Sequence, residues 1–363
     1  MNRRGLLAAT GTAVTVTGYG TYRSFVRDDR TRDGWLLLGV TPASASLQQL
    51  DRFERWLGAD HAVTLRYADM GAAAADIRSI VHGQLESIWH RRSVPQLVWQ
   101  PHFGSGEETS TEINREIAAG DHDAAIEEWA STLAEWIDRG PATPDRRLYL
   151  NLAPEMNGDW SPWSPVVGAG TEADFVDMWR HVHDTVMDAG LDRDHVRWIW
   201  AIDTTTKGVD VSDCYPGDEY VDWTGIHGYN WSNWGGWRSP KGCYGRALAT
   251  LRSIAEKPIG VTEFACSSED GDGHDPERKG RWIRDVFEYF EEHGVQMACW
   301  FNTDKRTDWA VFGGDRGTVT AEVDGKAFDA YEKYRGVAGD PGVLGSHPNH
   351  PRVLTNKEFA GEF

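Results

Sequence analysis

Eight short apolar runs recur along the chain: Trp35–Val40, Ala62–Tyr67, Gln96–Trp99, Leu148–Leu152, Val196–Trp200, Tyr220–Ile226, Pro258–Val261 and Val295–Phe301. None exceeds eight residues, and all are rich in Val, Ile, Leu, Trp or Tyr. Continuous apolar runs of that length are the mark of strands buried on both faces of a parallel sheet. Between them the period changes from strand to helix. Leu47, Leu50, Phe53 and Leu57 share one helical face, as do Ile126, Trp129, Leu133 and Trp136. A longer helix runs from a Thr171 cap through Phe175, Met178, Trp179, Val182 and Val186 to a stop at Gly190. Another starts at Asp275-Pro276, turns Trp282, Ile283, Val286, Phe287 and Phe290 inward, and ends at Gly294. Leu248, Leu251 and Ile254 mark one more, and Phe328 with Tyr331 mark the last. The helix after the second strand is expected to split around Gly83.

Eight strands, each followed by a helix, predict an α/β fold of the (β/α)8 barrel type. The expected organisation is an export signal and linker over residues 1–30, the barrel over 31–336, and an irregular tail rich in Gly, Pro, His and Asn over 337–363. Arg3-Arg4 followed by a short, weakly apolar stretch suits a twin-arginine export signal, with an uncleaved anchor as the alternative. Secretion or cell-surface location follows from that reading, and it permits disulfides. Cys214, Cys243, Cys266 and Cys299 form no CxxC pair, which argues against a zinc or redox motif. Free buried thiols and three different pairings remain open.

Charge narrows the partners. Of the 363 residues, 37 are Lys or Arg against 56 Asp or Glu, a formal net charge of −19. Such a surface repels phosphates, so nucleic acid and anionic membranes are excluded as partners, and a monomer is expected. The acidic excess also fits a protein kept soluble in high salt; the alternative is an ordinary acidic surface. Some of the 18 Trp belong to the core; a surplus near loop ends would supply sugar-stacking platforms, since an aromatic face suits the C–H face of a sugar ring.

In a (β/α)8 barrel the chemistry sits at the C-terminal strand ends. The fourth run is followed by Pro154-Glu155-Met156-Asn157-Gly158-Asp159-Trp160, the sixth by His227-Gly228-Tyr229-Asn230-Trp231, the seventh by Thr262-Glu263 and the eighth ends in Trp300-Phe301-Asn302. Glu155 and Glu263 therefore face each other across the barrel mouth. Two carboxylates about 5–5.5 Å apart serve a retaining glycosidase, one as nucleophile and one as acid then base. That chemistry needs no metal and no cofactor, and none is expected. Tyr229 and His227 are placed to donate to Glu263, while Trp160, Trp163, Trp231, Trp234, Trp237 and Trp300 are candidates to wall a sugar cleft.

The stretch Glu155-Met156-Asn157-Gly158-Asp159-Trp160-Ser161-Pro162-Trp163 resembles the acid/base motif of glycoside hydrolase family 26, the β-mannanase family of the retaining barrel clan. Tyr220–Trp231 and Pro258–Phe264 resemble its sixth and seventh strands. The resemblance implies Glu155 as acid/base, Glu263 as nucleophile and Tyr229 as the nucleophile's hydrogen-bond partner. It implies Asn157, Trp160 and Trp163 on the acid/base side of the cleft, and Trp300 beneath the sugar. His227 and Trp231 complete the expected substrate contacts. Two positions depart from the family: Pro154 stands where His usually precedes the acid/base, and Asn151 where Arg usually lies four residues before it.

The primary expectation is a retaining, endo-β-mannanase-like hydrolase of a β-linked polysaccharide or oligosaccharide, with mannan the default that the resemblance implies and endo or exo action left open. Those departures motivate a second reading, a barrel of the same descent that binds carbohydrate without cleaving it. A metal-dependent hydrolase on the same scaffold would carry His-x-His at the first strand end, where this chain has Val40-Thr41-Pro42.

Overall fold

The computed structural model describes residues 32–43, 47–104, 108–140, 144–271 and 273–363. The expected export signal lies outside the described residues.

The chain is a (β/α)8 barrel. Its strands are β1 (Leu36–Pro42), β2 (Val63–Asp69), β3 (Val94–Gln100), β4 (Leu148–Leu152), β5 (Val196–Asp203), β6 (Trp223–Asn230), β7 (Ile259–Cys266) and β8 (Val295–Asn302). They pair in parallel in chain order, and β8 closes onto β1 from Leu37 opposite Met297 to Pro42 opposite Asn302. Each of the eight apolar runs overlaps one of these strands.

Strand parity sorts the side chains into two cores. Leu37, Val63, Leu65, Val98, Tyr149, Ile199, Ala201, Met297 and Cys299 fill the barrel interior. Their neighbours one residue along, such as Leu38, Leu97, Leu150, Trp198, Trp200 and Trp300, face outward against the helices. The interior is tight: a Cβ at Gly225 would meet Ala201 Cβ at 2.8 Å and Thr262 Oγ1 at 2.9 Å, so only glycine fits there.

The helices behave as their caps dictate. Helix Glu172–Asp188 starts at Thr171 with a reciprocal capping box to Asp174, and helix Pro276–Glu292 starts at Asp275 with Pro in its first turn. The segment around Gly83 is continuous rather than split: helices Ala74–Ser79 and Glu86–His90 are joined by a π-helical stretch, Ile80–Leu85.

Two expectations need correction. Phe328 lies in a strand, Lys326–Ala330, of a three-stranded antiparallel sheet with Phe312–Gly314 and Val319–Val323; the helix begins only at Glu332. Phe328 stacks on Phe312 at 5.0 Å, so this apolar pair anchors a sheet rather than a helix face. Nor is the tail irregular. Val343–Leu344 adds a parallel strand beside β1, and helix Asn356–Ala360, capped by Thr355 and Glu358, plugs the N-terminal end of the barrel. The Phe359 carbonyl accepts from Tyr149 Oη at 3.1 Å and from Trp223 Nε1 at 3.2 Å. The polar composition hid this because the apolar anchors, Val353, Leu354 and Phe359, are few and follow no helical or strand period.

The four cysteines are free and buried.

Candidate active site

The inward parity that fills the barrel continues to its C-terminal mouth and delivers Tyr67 from β2, Asn151 from β4, Asp203 from β5, His227 and Tyr229 from β6, Glu263 from β7 and Phe301 from β8. Glu155 arrives differently. It follows β4 on a turn in which both Ala153 (φ 45°) and Glu155 (φ 60°) adopt left-handed backbone. For a residue with a Cβ that conformation costs about 1–2 kcal/mol. Two cross-strand bonds hold the turn, Ala153 N–H to Trp99 O and Glu155 N–H to Ala201 O, both 2.9 Å. The turn brings the Glu155 carboxylate to His227 of β6 and within reach of Glu263.

Donor atoms of Glu155, Glu263 and His227 all lie within 4.8 Å of one another. Glu155 Oε1 is 2.7 Å from His227 Nδ1, and its Oε2 accepts from Trp160 Nε1 at 2.6 Å. Glu263 takes one hydroxyl on each oxygen, Tyr229 on Oε1 and Tyr67 on Oε2. On its far side His227 Nε2 faces the Asn151 amide at 3.1 Å. A metal ion would have to displace these hydrogen bonds, since the oxygens and nitrogen it would bind are the ones already paired. The donor set reads as an acid–base cluster.

The electrostatics follow from the pairing. Burial works to raise the Glu155 carboxyl, but the hydrogen bond and charge of His227, with Trp160, outweigh it and hold the group below the usual carboxylate range. Burial raises Glu263; the nearby Glu155 charge adds to this, and the pull of His227, Tyr229 and Tyr67 does not cancel it. Burial lowers the His227 imidazole, yet its bond to Glu155 and the charges of Glu263, Glu155 and Asp203 carry it above the ordinary value. Burial and the charge of Glu155 push Asp203 up to about 6.

Not every expected contact reaches the mouth. Trp160 is exposed beside Glu155 and Trp234 is exposed against Tyr229, in an edge contact at 6.1 Å. Trp163 is buried and donates to Pro154 O at 2.8 Å, so it props the turn that carries Glu155 and does not face the barrel mouth. Asn157 is fully buried. It accepts from Asp203 N–H at 2.8 Å and donates to Asp203 O at 2.9 Å and Thr205 O at 3.0 Å, clamping the β4 and β5 loops together. Trp231 is buried and donates to Glu269. His227 is buried against Glu155 rather than donating to Glu263 or lining the wall. Trp300 is fully buried on the outward face of β8, packed on Phe264 and Tyr334. Its neighbour Phe301 has the inward parity, is half-buried, and meets Tyr229 edge-on at 5.9 Å. A shift of one residue along a strand exchanges faces, which is why the tryptophan was the wrong choice of neighbours.

Tyr67 was missed. Its signal was present, as the last residue of the second apolar run with the parity of Val63 and Leu65.

Residues 79–243 match the sequence profile of glycosyl hydrolase family 26. The matched stretch contains Glu155 and the β6 motif; Glu263 lies beyond it. Endoglucanase H of Acetivibrio thermocellus is 29% identical over 244 residues, which is 64% of this chain and 24% of that protein. A β-1,3-xylanase of a Vibrio species is 30% identical over 112 residues, 30% of this chain and 21% of that one. The chain thus spans only about a quarter or less of these relatives' length. Among solved structures, the catalytic domain of an endo-β-1,4-mannanase from Bacillus sp. JAMB-750 superposes with a TM-score of 0.66 at 15% identity, covering 94% of each chain. A Cellulomonas fimi endo-β-1,4-mannanase gives 0.62 at 18% identity, over 93% of this chain and 78% of that one. These two likenesses are of fold.

Proposed function

We propose that this chain is a family-26 glycoside hydrolase that cleaves a β-linked glycan with retention, Glu263 acting as nucleophile and Glu155 as acid/base. The observation that carries the reading is the pair of carboxylates within 4.8 Å of each other at the barrel mouth, inside the distance from which one can attack a sugar carbon while the other reaches its leaving oxygen. Glu263 attacks the anomeric carbon from one face, held ionised and oriented by Tyr229 and Tyr67. Glu155 protonates the departing oxygen, then takes a proton from the water that releases the sugar.

The empty site leans the other way, with Glu155 drawn down and Glu263 raised. Substrate reverses it. A sugar over the mouth strips water from the half-buried Glu155, and desolvation favours its neutral acid. Neutralising Glu155 removes the charge that helps raise Glu263, which favours the ionised nucleophile.

β-Mannan is the first substrate to test, with β-1,4-glucan, mixed-linkage glucan and β-1,3-xylan beside it. Exposed Trp160 and Trp234 and half-buried Phe301 offer rings to a sugar chain. Export through a twin-arginine route and solubility in high salt remain part of the proposal, as does a monomer acting without metal or cofactor. The test is hydrolysis of that panel by the wild type and by Glu155→Gln and Glu263→Gln. Loss of at least about a thousandfold in each variant is expected; near-normal turnover in either refutes the assignment. A wild type that binds oligosaccharide and releases no product supports instead the non-cleaving barrel motivated by Pro154 and Asn151.

A further inference from the structure

The two departures at 151 and 154 leave the acid/base without the neighbours that its motif normally supplies, yet Glu155 is not unsupported. From the adjacent β6 strand, His227 places Nδ1 2.7 Å from Glu155 Oε1 and Nε2 3.1 Å from the Asn151 amide. His227 and Asn151 are both buried. The line Asn151–His227–Glu155 therefore runs from inside the barrel to the reacting edge.

Which atom of the amide faces Nε2 decides what His227 can do. With Nδ2 toward the ring, Nε2 must accept, and the neutral imidazole keeps its single proton on Nδ1. Such a ring cannot pass that proton on without becoming an anion. In either orientation the outer amide atom stays buried without a partner, so the ring decides: an imidazolium between Glu155 and the amide carries a proton on Nε2 that needs an acceptor. Amide oxygen and nitrogen have the same shape, so the neighbours' chemistry must choose between them. Turning the amide puts Oδ1 on Nε2–H. The ring is then pinned as the Nε2–H form, and a second proton moves freely between Nδ1 and Glu155.

We propose that His227, fixed by Asn151 Oδ1 as the Nε2–H form, is the positioning residue of the acid/base and shares one mobile proton with Glu155. His227 takes the place of the missing neighbour, approaching from β6 instead of from the residue before Glu155. The other ionisable groups that face the ring are Glu263 from β7 and Asp203 from β5; Tyr229 lies on its own strand. Both acids favour the protonated ring and draw the mobile proton toward His227. The inference builds on the proposed roles of Glu155 and Glu263, but its first test does not need turnover.

That test is the nitrogen-15 spectrum of labelled histidine in the wild type, with Asn151→Asp and Glu155→Gln for comparison. The expected result is an Nε2 that stays protonated at every pH, with Nδ1 titrating. Asn151→Asp should extend the protonated ring to higher pH, and Glu155→Gln should shorten its range. A neutral ring with its proton on Nδ1 and Nε2 bare overturns the proposal. Wild-type silence on every β-glycan would defeat the hydrolase reading, while the spectrum still decides the pair. The second test compares β-mannan with an activated dinitrophenyl β-glycoside, whose leaving group needs no acid. His227→Gln should lose about a hundredfold in kcat on the polysaccharide and under about tenfold on the activated substrate, with KM little changed. Asn151→Asp should move the alkaline limb of kcat/KM to higher pH and lower its plateau, because a carboxylate beside Nε2 holds the mobile proton on the ring. Equal losses on both substrates with unmoved limbs indicate a merely structural histidine and overturn the proposal.

Discussion

Removing the hydroxyl of Tyr67 isolates one term of the proposed mechanism. Tyr67 and Tyr229 each donate to a different oxygen of Glu263, a buried carboxylate raised by burial and by Glu155. The donors bind the ionised form and so oppose that rise. Tyr67→Phe keeps the ring, which is exposed on the mouth wall, and opens no core cavity. A hydrogen bond to a charged group is worth about 1.5–3 kcal/mol. At about 1.4 kcal/mol per pH unit, its loss moves the acidic limb of kcat/KM upward by about one to two pH units. The sign is fixed: a carboxylate that must be ionised to attack, and has lost a donor, needs a higher pH to ionise. Below that limb the variant should lose about 10–100-fold in kcat/KM, and above it much less. The assay is a full pH profile of kcat/KM for both proteins on the best substrate of the panel. An acidic limb that stays put, or moves to lower pH, refutes the role given to Tyr67 and weakens the assignment of Glu263 as the group that ionises.

Trp160→Phe keeps an aromatic face at the mouth but removes the Nε1 donor to Glu155 Oε2; a loss of about tenfold in kcat/KM is expected, matching one ordinary hydrogen bond, and an unchanged rate would show that the contact does not steer the acid/base. Lys279 is fully buried and ties Asp308 to Ala310, donating to both carbonyls, with Asp308 Oδ2 at 3.7 Å. These bonds fix the loop after β8 that carries Trp309. Lys279→Met should cost about 3–5 kcal/mol by stranding Asp308, read by denaturant unfolding, and Lys279→Met with Asp308→Asn should cost less than the two single changes summed; simple additivity would show that the two side chains act independently.

The barrel was legible because its strands announce themselves. A parallel strand buried on both faces is a short apolar run, and eight such runs left little room for another fold. Glu155 and Glu263 were legible because they follow two of those runs, where the barrel rule looks for chemistry. Within the mouth, legibility failed wherever it depended on parity or on depth. The family resemblance puts Trp300 beneath the sugar, although the alternation of Met297 and Cys299 into the interior assigns the inward position to 301. Tyr67 stood at the same level on β2 and was passed over because no motif marked it. Asn157 and Trp163 belong to the motif yet are buried braces, a distinction that sequence spacing cannot draw. His227 was expected to serve Glu263 and serves Glu155, because the left-handed turn at Ala153 and Glu155 carries the acid across to β6. The tail escaped notice for a simpler reason: a plug of three apolar anchors among prolines and histidines has no periodicity to read.

The central claim is that two carboxylates at one barrel mouth exchange a sugar by double displacement. Its most direct measurement is the proton NMR spectrum of the anomeric signal during the first minutes of cleavage of a β-linked substrate, before mutarotation. The account predicts that the β-anomer appears first and the α-anomer grows in slowly. First appearance of the α-anomer would mean a single displacement by water, and would contradict the account.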